Sequence, residues 1–440
     1  MRIRIKETMW RRIHDGLIRR LDVESAAILV GRILDTSDGE ILVAESAELI
    51  PDDGYLIRQI DRLSIDPLAI NRMTKRARDS GMSILTVHTH PGAAVPWFSW
   101  ADDRGDAKLM PSFHNQVTGP PHGSLVTTAN DLVVARVFDD GAPPRHARLL
   151  SVGRRLVDHS PDADASVDDD RFDRQQLALG QTGQAQLREL RVAVVGAGGT
   201  GSFVGIELAH LGVGELVLLD GDVLDGPNLS RGVGSRKNDR NATTKVGSLA
   251  RYIDEAQLPT RVIASPVHVT GEEQLRLLRT CDVIFSCVDR HTPRALLNRL
   301  AYDALVPVID MGTVFRIGAA GGIESEGGRV VVVGPERPCL ACWGHIHPER
   351  LRIEALSESA RNDEAQVGYI EGATVAQPSV IAFNGMVASA AVIEFLRIVT
   401  GFAGAEDPPQ RLGFSFTDGT VTRNRLSDAR RCRICGSECP

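Results

Sequence analysis

Two histidines stand two residues apart in Val87-His88-Thr89-His90-Pro91, at the end of an apolar run, and Ser99-Trp100-Ala101-Asp102-Asp103 follows. Side chains two apart on a strand share a side. Two His and one carboxylate, with a fourth position left for water, make up the ligand set of a hydrolytic zinc site. A further carboxylate would then move the proton, and Glu24, which begins the apolar run Ser25 to Gly31, is well placed for it. A second group of residues suits phosphate chemistry. Arg191-Val-Ala-Val-Val195 runs into Gly196-Ala-Gly198-Gly199-Thr-Gly201, a strand, a glycine turn and a helix start. Glycines there allow close backbone approach, and the free N–H groups of the helix start face phosphate. Asp220 ends the next apolar stretch, where a carboxylate can grip a ribose hydroxyl. Downstream lie Asp222, Asn228, Arg231, Lys245 and Asp289, and an attack on the α-phosphate of ATP needs cations such as Arg231 and Lys245 to neutralise charge. A third group is Cys339-x-x-Cys342 with Cys432-x-x-Cys435, able to donate four thiolates to one closed, structural zinc. His345, His347 and Cys439 are alternative ligands, whereas Cys281 and Cys287, on or beside an apolar strand, read as small core residues.

The elements that must position these groups can be read from the spacing of apolar residues. Strands are expected at Ile3 to Ile5, Ser25 to Leu34, Glu40 to Ala47 and Ser83 to Val87, with helices at Glu7 to Leu21 and Pro67 to Ser80. This is an α+β domain over 1–155. The Asp-rich stretch 156–170 has little to bury and reads as a solvated linker. Over 171–440 strands and helices alternate: strands at Arg191 to Val195, Glu215 to Leu219, Arg261 to Ser265 and Val283 to Ser286, helices from Thr200 and around Lys245 to Glu255. Alternation with glycine-rich turns predicts a mostly parallel, doubly wound α/β sheet.

At 440 residues the chain exceeds one usual hydrophobic core, so more than one domain is expected. A net charge of −7 and a pI near 6.0 argue against nucleic acid as partner. The charged start Met1-Arg-Ile-Arg-Ile-Lys6 does not read as a secretory signal, and no membrane span is expected, which points to the cytoplasm.

The histidine segment resembles the JAMM (JAB/MPN) metalloproteases, whose pattern is an upstream Glu, then His-Ser/Thr-His-Pro, then Ser-x-x-Asp, over roughly residues 1 to 150 here. The resemblance implies that His88, His90 and Asp102 bind catalytic zinc, that Glu24 is the general base, and that Ser99 helps stabilise a tetrahedral oxyanion. Eight residues separate His90 from Ser99, one more than is usual in the family, which leaves Asp103 as an alternative to Asp102. The second half resembles the ThiF/MoeB/ubiquitin-activating superfamily, Rossmann-like adenylating enzymes, over about residues 171 to 440. By that resemblance Gly196, Gly198, Gly199 and Gly201 cradle ATP and Asp220 binds ribose. Asp222, Asn228, Arg231 and Lys245 serve the nucleotide and its phosphates, and Asp289 holds Mg2+ at the catalytic centre. Arg174 matches an arginine that reaches into a partner subunit's site, which implies a homodimer.

Such enzymes that form a thioester carry a cysteine in a loop after the first Cys-x-x-Cys, yet Trp343 to Gln377 holds none. The expectation is an enzyme that stops at the acyl-adenylate; an oxyester on Ser357, Ser359 or Thr374, or recruitment of Cys439, are the alternatives. The fusion looks like those of bacterial ubiquitin-like conjugation operons, with a ubiquitin-like protein as substrate and a conjugating enzyme as a further partner. Activation and trimming of a sulfur carrier is the rival enzymatic reading, and a non-catalytic scaffold the rival of another class.

Overall fold

The computed structural model describes residues 1–161, 169–318, 322–357, 359–360, 378–404, 410–426 and 432–436. The chain divides into two compact units, Met1–Asp164 and Ala165–Pro440.

In the first unit, β1 (Arg2–Lys6) leads straight into α1 (Glu7–Leu17), whose Trp10, Ile13, His14 and Leu17 recur at the spacing of one buried helix face. The helix stops short of the expected Leu21 because that leucine is 48% exposed and has no core to reach. Strands β2 (Ala26–Thr36) and β3 (Gly39–Leu49) form an antiparallel pair, and β4 (Tyr55–Arg58) with β5 (Leu63–Ile65) a small separate hairpin. Helix α2 (Pro67–Ser80) starts where expected, with Asp66 accepting from the Leu68 N–H and proline at its first position; it ends at Gly81, whose φ of +63° suits glycine. Then come β6 (Ser83–Thr89), α3 (Trp100–Gln116), β7 (His122–Thr127), β8 (Val133–Phe138), β9 (Arg145–Val152) and β10 (Leu156–Asp158). The sheet order is β1-β3-β2-β6-β7-β8-β9-β10, and β1 also pairs with β9, so the sheet closes on itself.

Strand alternation gives this sheet two apolar faces. Ala27, Leu29, Leu85 and Val87 pack with Trp10 and Leu17 of α1. Ala26, Ile28, Val30 and Ile84 pack with Met73 of α2 and with Met110 and Phe113 of α3. His88, in step with Ile84, therefore lies on the face that α3 covers.

The linker expected over 156–170 needs correction at its start. Strand β10 pairs with β9, and His159 is buried with its ring bonded to Ser151 Oγ and the Asp131 carbonyl. These contacts make 156–160 part of the first unit. Residues 162–168 lie outside the described residues, and Asp170–Phe172 already forms a turn leading into the second unit.

The second unit opens with α4 (Asp173–Glu189). Next come β11 (Arg191–Val195), α5 (Gly199–His210), β12 (Glu215–Leu219), α6 (Lys245–Glu255), β13 (Arg261–Ser265), α7 (Glu272–Leu278), β14 (Val283–Ser286) and α8 (His291–Asp303). Strands β15 (Val308–Ile317) and β16 (Ile323–Val333), α9 (Pro348–Ala355), α10 (Ile381–Thr400), β17 (Arg411–Ser415) and β18 (Thr420–Asn424) complete it. The order β13-β12-β11-β14-β15-β16-β17-β18 is parallel through β15 and antiparallel beyond, an extension that the sequence reading did not anticipate. Connections reverse direction between β11 and β14, the kind of switch point where open α/β sheets bind ligands. Helix α10 is long and apolar enough to cross a membrane by length and composition. Here Val387, Ala388, Ala391, Phe395 and Ile398 are buried, the Phe395 ring lying tilted against Phe285 of β14, which suits a core helix.

Candidate functional site

Two groups of titratable side chains in separate units, and one cysteine cluster, have geometry that suits chemistry. The first forms where β2 and β6 end together. Ala26 pairs with His88, and the Thr89 N–H donates to the Ser25 carbonyl, so one further step along each strand brings Glu24 beside His90 on one face. Ser99 caps α3: the Asp102 N–H donates to Ser99 Oγ, while the Ser99 N–H and hydroxyl both donate to Asp102 Oδ2, at 2.6 and 2.7 Å. This reciprocal cap turns the Asp102 carboxylate back toward the histidines.

His88 Nε2 and His90 Nε2 are 3.3 Å apart, and Asp102 oxygens lie 2.9 Å from His88 Nε2 and 3.4 Å from His90 Nε2. Ligand atoms about 2.0 Å from a tetrahedral zinc would be separated by about 3.3 Å. Burial opposes ionisation of Asp102, but hydrogen bonds from both histidines outweigh it and hold the carboxyl below the usual carboxylate range. Asp103 faces elsewhere, paired with Arg136 Nη1 at 2.6 Å, so the structure brings Asp102 and not Asp103 to the histidines. Glu24 is buried, and that burial pushes its carboxyl up to about 7 despite the opposing pull of His88 and His90. Neither histidine donates to a second carboxylate among the described residues, and His90 Nδ1 is buried without a partner.

The second group surrounds the glycine turn at the switch point. Gly196 has φ +92°, and a Cβ there would lie 2.6 Å from the Cys287 carbonyl oxygen. A Cβ on Gly201 would lie 1.7 Å from the Gly196 carbonyl oxygen, so α5 can approach the turn only with glycine at that position. Gly198 has open space instead, leaving its backbone free to meet a ligand. Next to Gly199 lie the Asn384 amide and the stem of Arg231, the latter 3.4 Å from the position of a Cβ. Asp220 is oriented by two backbone donors, the Ala197 N–H to Oδ2 at 2.8 Å and the Asp222 N–H to Oδ1 at 2.9 Å. Lys245 Nζ lies 2.6 Å from Asp222 Oδ2 and 3.9 Å from Asp220 Oδ2. Partial burial works against the Asp222 charge, but Lys245 prevails and holds that carboxyl low.

Asn228 is buried in a short turn, Pro227–Ser230, its N–H held by Asp225. Asp289 is exposed, two residues past the Cys287 that abuts Gly196. Arg174 is exposed in the first turn of α4. The structure thus gathers the glycines, Arg231, Asp220, Asp222 and Lys245, with Asp289 at the same sheet edge.

Sequence reading missed a buried ion cluster under this edge. Asp310 of β15 is fully buried and accepts from Ser286 Oγ at 2.9 Å, Arg294 Nε at 2.8 Å and Arg329 Nη2 at 3.3 Å. Arg294 also donates to the Val288 carbonyl at 2.6 Å, bracing the loop that carries Asp289. A charge inside the apolar run Val306 to Ile309 and Asp310 was the only hint available in the sequence.

The cysteine pairs converge. Sγ separations are 3.6 Å for Cys339–Cys342, 3.7 Å for Cys339–Cys432 and 3.8 Å for Cys342–Cys435, and all four sulfurs lie within 4.8 Å of one another. Those spacings exclude disulfides and match the edge of about 3.8 Å for thiolates about 2.3 Å from a tetrahedral zinc. Burial raises the Cys339 thiol to about 11; at Cys432 it is outweighed by the N–H groups of Cys435 and Ile434, which bring that thiol down to about 7. His345 and His347 are not in this group. Ser357 and Ser359 are described and bond each other at 3.2 Å, whereas Thr374 and Cys439 lie outside the described residues.

Comparison with known proteins agrees with this division. The ThiF family matches residues 172–436, and the prokaryotic homologs of the JAB domain match residues 6–137. An "Adenylyltransferase and sulfurtransferase uba4" of Aspergillus terreus is 28% identical over 61% of this chain and 52% of its own length. One of the same description from Emericella nidulans is 31% identical over 61% of this chain and 53% of its own. The chain therefore spans about half the length of the curated relatives it matches. Among solved structures, Escherichia coli MccB with MccA-N7isoASN aligns with a TM-score of 0.49 at 17% identity, covering 62% of this chain and 76% of that one.

Proposed function

This chain belongs to the ThiF family, with a prokaryotic JAB-type domain before it, and from that premise we propose a bifunctional enzyme acting on a ubiquitin-like or sulfur-carrier protein. The second unit adenylates the carrier's C-terminal carboxylate with Mg-ATP. The first, with zinc, cuts peptide or isopeptide bonds to that carrier. The observation that carries the reading is Lys245 reaching Asp222 and Asp220 beside a glycine turn at the sheet's switch point.

In the adenylation step a carrier carboxylate oxygen bonds to the α-phosphorus as the bond to the β-phosphate oxygen breaks, releasing pyrophosphate. Asp220, fixed by two N–H donors, holds ribose. Lys245 and Arg231 offset charge on the phosphates, for which Lys245 must release Asp222. Asp222 and Asp289 are carboxylates suited to Mg2+, and Asp289 is the assigned ligand.

In the first unit His88, His90 and Asp102 fit zinc, which would supply a Lewis acid that brings the ionisation of water toward neutrality. Glu24, raised to about 7, can take a proton and return it to the leaving amine near neutral pH. Ser99 is better placed as a positioning residue, since its hydroxyl is committed to Asp102.

The curated relatives carry sulfurtransferase in their descriptions, which favours a sulfur carrier as an equal reading of the substrate. Activation by a homodimer, with exposed Arg174 serving a second copy, belongs to the same proposal. Carrier-dependent ATP–pyrophosphate exchange tests it. Exchange with a ubiquitin-like or sulfur-carrier partner supports adenylation, and its absence with every such carrier encoded alongside would sink it in favour of a scaffold.

A further inference from the structure

On the antiparallel half of the second unit's sheet, a cavity of about 440 Å³ lies over Gly312 and Gly327, with Arg329, His345, Arg411 and Thr422 among its lining. We propose that this cavity is a binding site for an anionic group, a carboxylate or phosphate, separate from the nucleotide site.

Three observations carry the assignment. The first is orientation: Arg329 Nη1 lies 3.7 Å from where a Cβ on Gly312 would stand, so a terminal nitrogen of that guanidinium borders the space above the glycine floor. The second is charge. Among the described lining residues two are arginines and none is acidic. Asp310, the carboxylate paired with Arg329, is already shared with Arg294, and Glu326 and Asp418 are engaged by the lining Ser415 hydroxyl. Among the described residues no carboxylate pairs with Arg411, which lies instead over the Trp343 ring, 5.8 Å from its centroid. Burial, with Arg329 beside it, pushes His345 down to about 3, so it offers one N–H and no charge.

The third is that the floor is glycine without backbone need. A Cβ on Gly312 would meet nothing nearer than Arg329 Nη1 at 3.7 Å, and one on Gly327 nothing nearer than the Phe414 carbonyl at 3.5 Å. Both are ordinary contacts, and neither residue has a positive φ. Side chains there would fit the fold and fill the cavity. Two guanidinium groups around an open floor suit a planar or tetrahedral anion bound by charge-assisted hydrogen bonds. Such an anion would also touch the adenylation site indirectly, because Arg329 shares Asp310 with the Arg294 that holds Val288.

The test uses the full chain with saturating ATP, so that the nucleotide site is filled, at constant ionic strength. Inorganic phosphate, glutarate and a short Glu-containing peptide are titrated calorimetrically. Saturable binding is expected for at least one, and which one binds tells a free phosphate from a small or peptide-borne carboxylate. Arg411→Gln, which leaves the Asp310 cluster intact, should weaken it at least 10-fold, and Gly312→Leu, which fills the space, should abolish it with ATP affinity retained. Absence of saturable binding by all three probes, or binding equal in wild type and both variants, overturns the site.

Discussion

At the scale of single residues, Lys245 decides the adenylation reading. Its ammonium holds Asp222 at 2.6 Å and is the cation nearest the ribose-site carboxylate among the described contacts. Lys245→Ala should lower carrier-dependent pyrophosphate exchange by about 100-fold or more, the usual cost of losing one charged transition-state contact. Lys245→Arg should recover part of it, and full exchange by the alanine variant would remove Lys245 from the chemistry. Asp310 was not legible, because its role depends on Arg294 and Arg329 arriving from α8 and β16. Asp310→Asn strands two guanidinium groups, so chemical denaturation should show a loss of about 3–5 kcal/mol; a loss under about 1 kcal/mol would mean that the cluster is solvated. The histidine pair, the glycines and the Cys-x-x-Cys pairs were legible, since their spacing is itself the ligand geometry. Asp102 against Asp103 was not, because the choice rests on the turn of α3 set by the Ser99 cap and on Arg136 drawing Asp103 away.

Elements carry the next level. Strands with alternating or continuous apolar runs, such as Arg191–Val195 and Glu215–Leu219, could be read from the sequence because local spacing determines them. The antiparallel strands β16 to β18 could not: β17 fully buries only Phe414 and β18 exposes most of its residues, so both are held by pairing more than by burial. Within the glycine turn, two substitutions should separate packing from ligand approach. Gly201→Ala puts a methyl 1.7 Å from the Gly196 carbonyl oxygen and should cost both melting temperature and ATP affinity. Gly198→Ala meets nothing within 4 Å and should melt normally while binding ATP more weakly. Equal behaviour of the two would mean that the turn is not a nucleotide cradle. In the first unit, His122 begins β7, accepts the Ile84 N–H on Nδ1 at 3.0 Å and donates from Nε2 to the Val117 carbonyl at 3.1 Å. Accepting on Nδ1 needs the neutral ring, and burial first, with His114 beside it, lowers its pKa to about 4 against the Val117 carbonyl, which favours the charge. A folded value below the unfolded 6.5 means stability that is complete above about pH 6.5 and lost as pH falls toward 4. Equilibrium unfolding of the first unit against pH should flatten in that window when His122 is replaced by Asn, and an unchanged slope would clear His122.

For the molecule as a whole, the residues assigned to hydrolysis all fall within Met1–Asp164 and those assigned to adenylation within Ala165–Pro440. No ligand or cation is shared between the two sets of residues, so the chemistries should be separable by mutation. Glu24→Gln should reduce cleavage of a carrier fusion by at least about 100-fold, since it removes the proton carrier, yet leave pyrophosphate exchange within twofold. Lys245→Ala should do the reverse. A chelator should divide the molecule in the same way. The His88, His90 and Asp102 group leaves a coordination position for water, whereas the four thiolates close theirs around Cys339, which is fully buried. Cleavage should therefore fall before the second unit loses melting temperature, because loss of a closed site costs folding and not chemistry. Exchange that fails in step with cleavage, in either the mutants or the chelator series, would mean that the two units depend on one another in a way that their separate residue sets do not require.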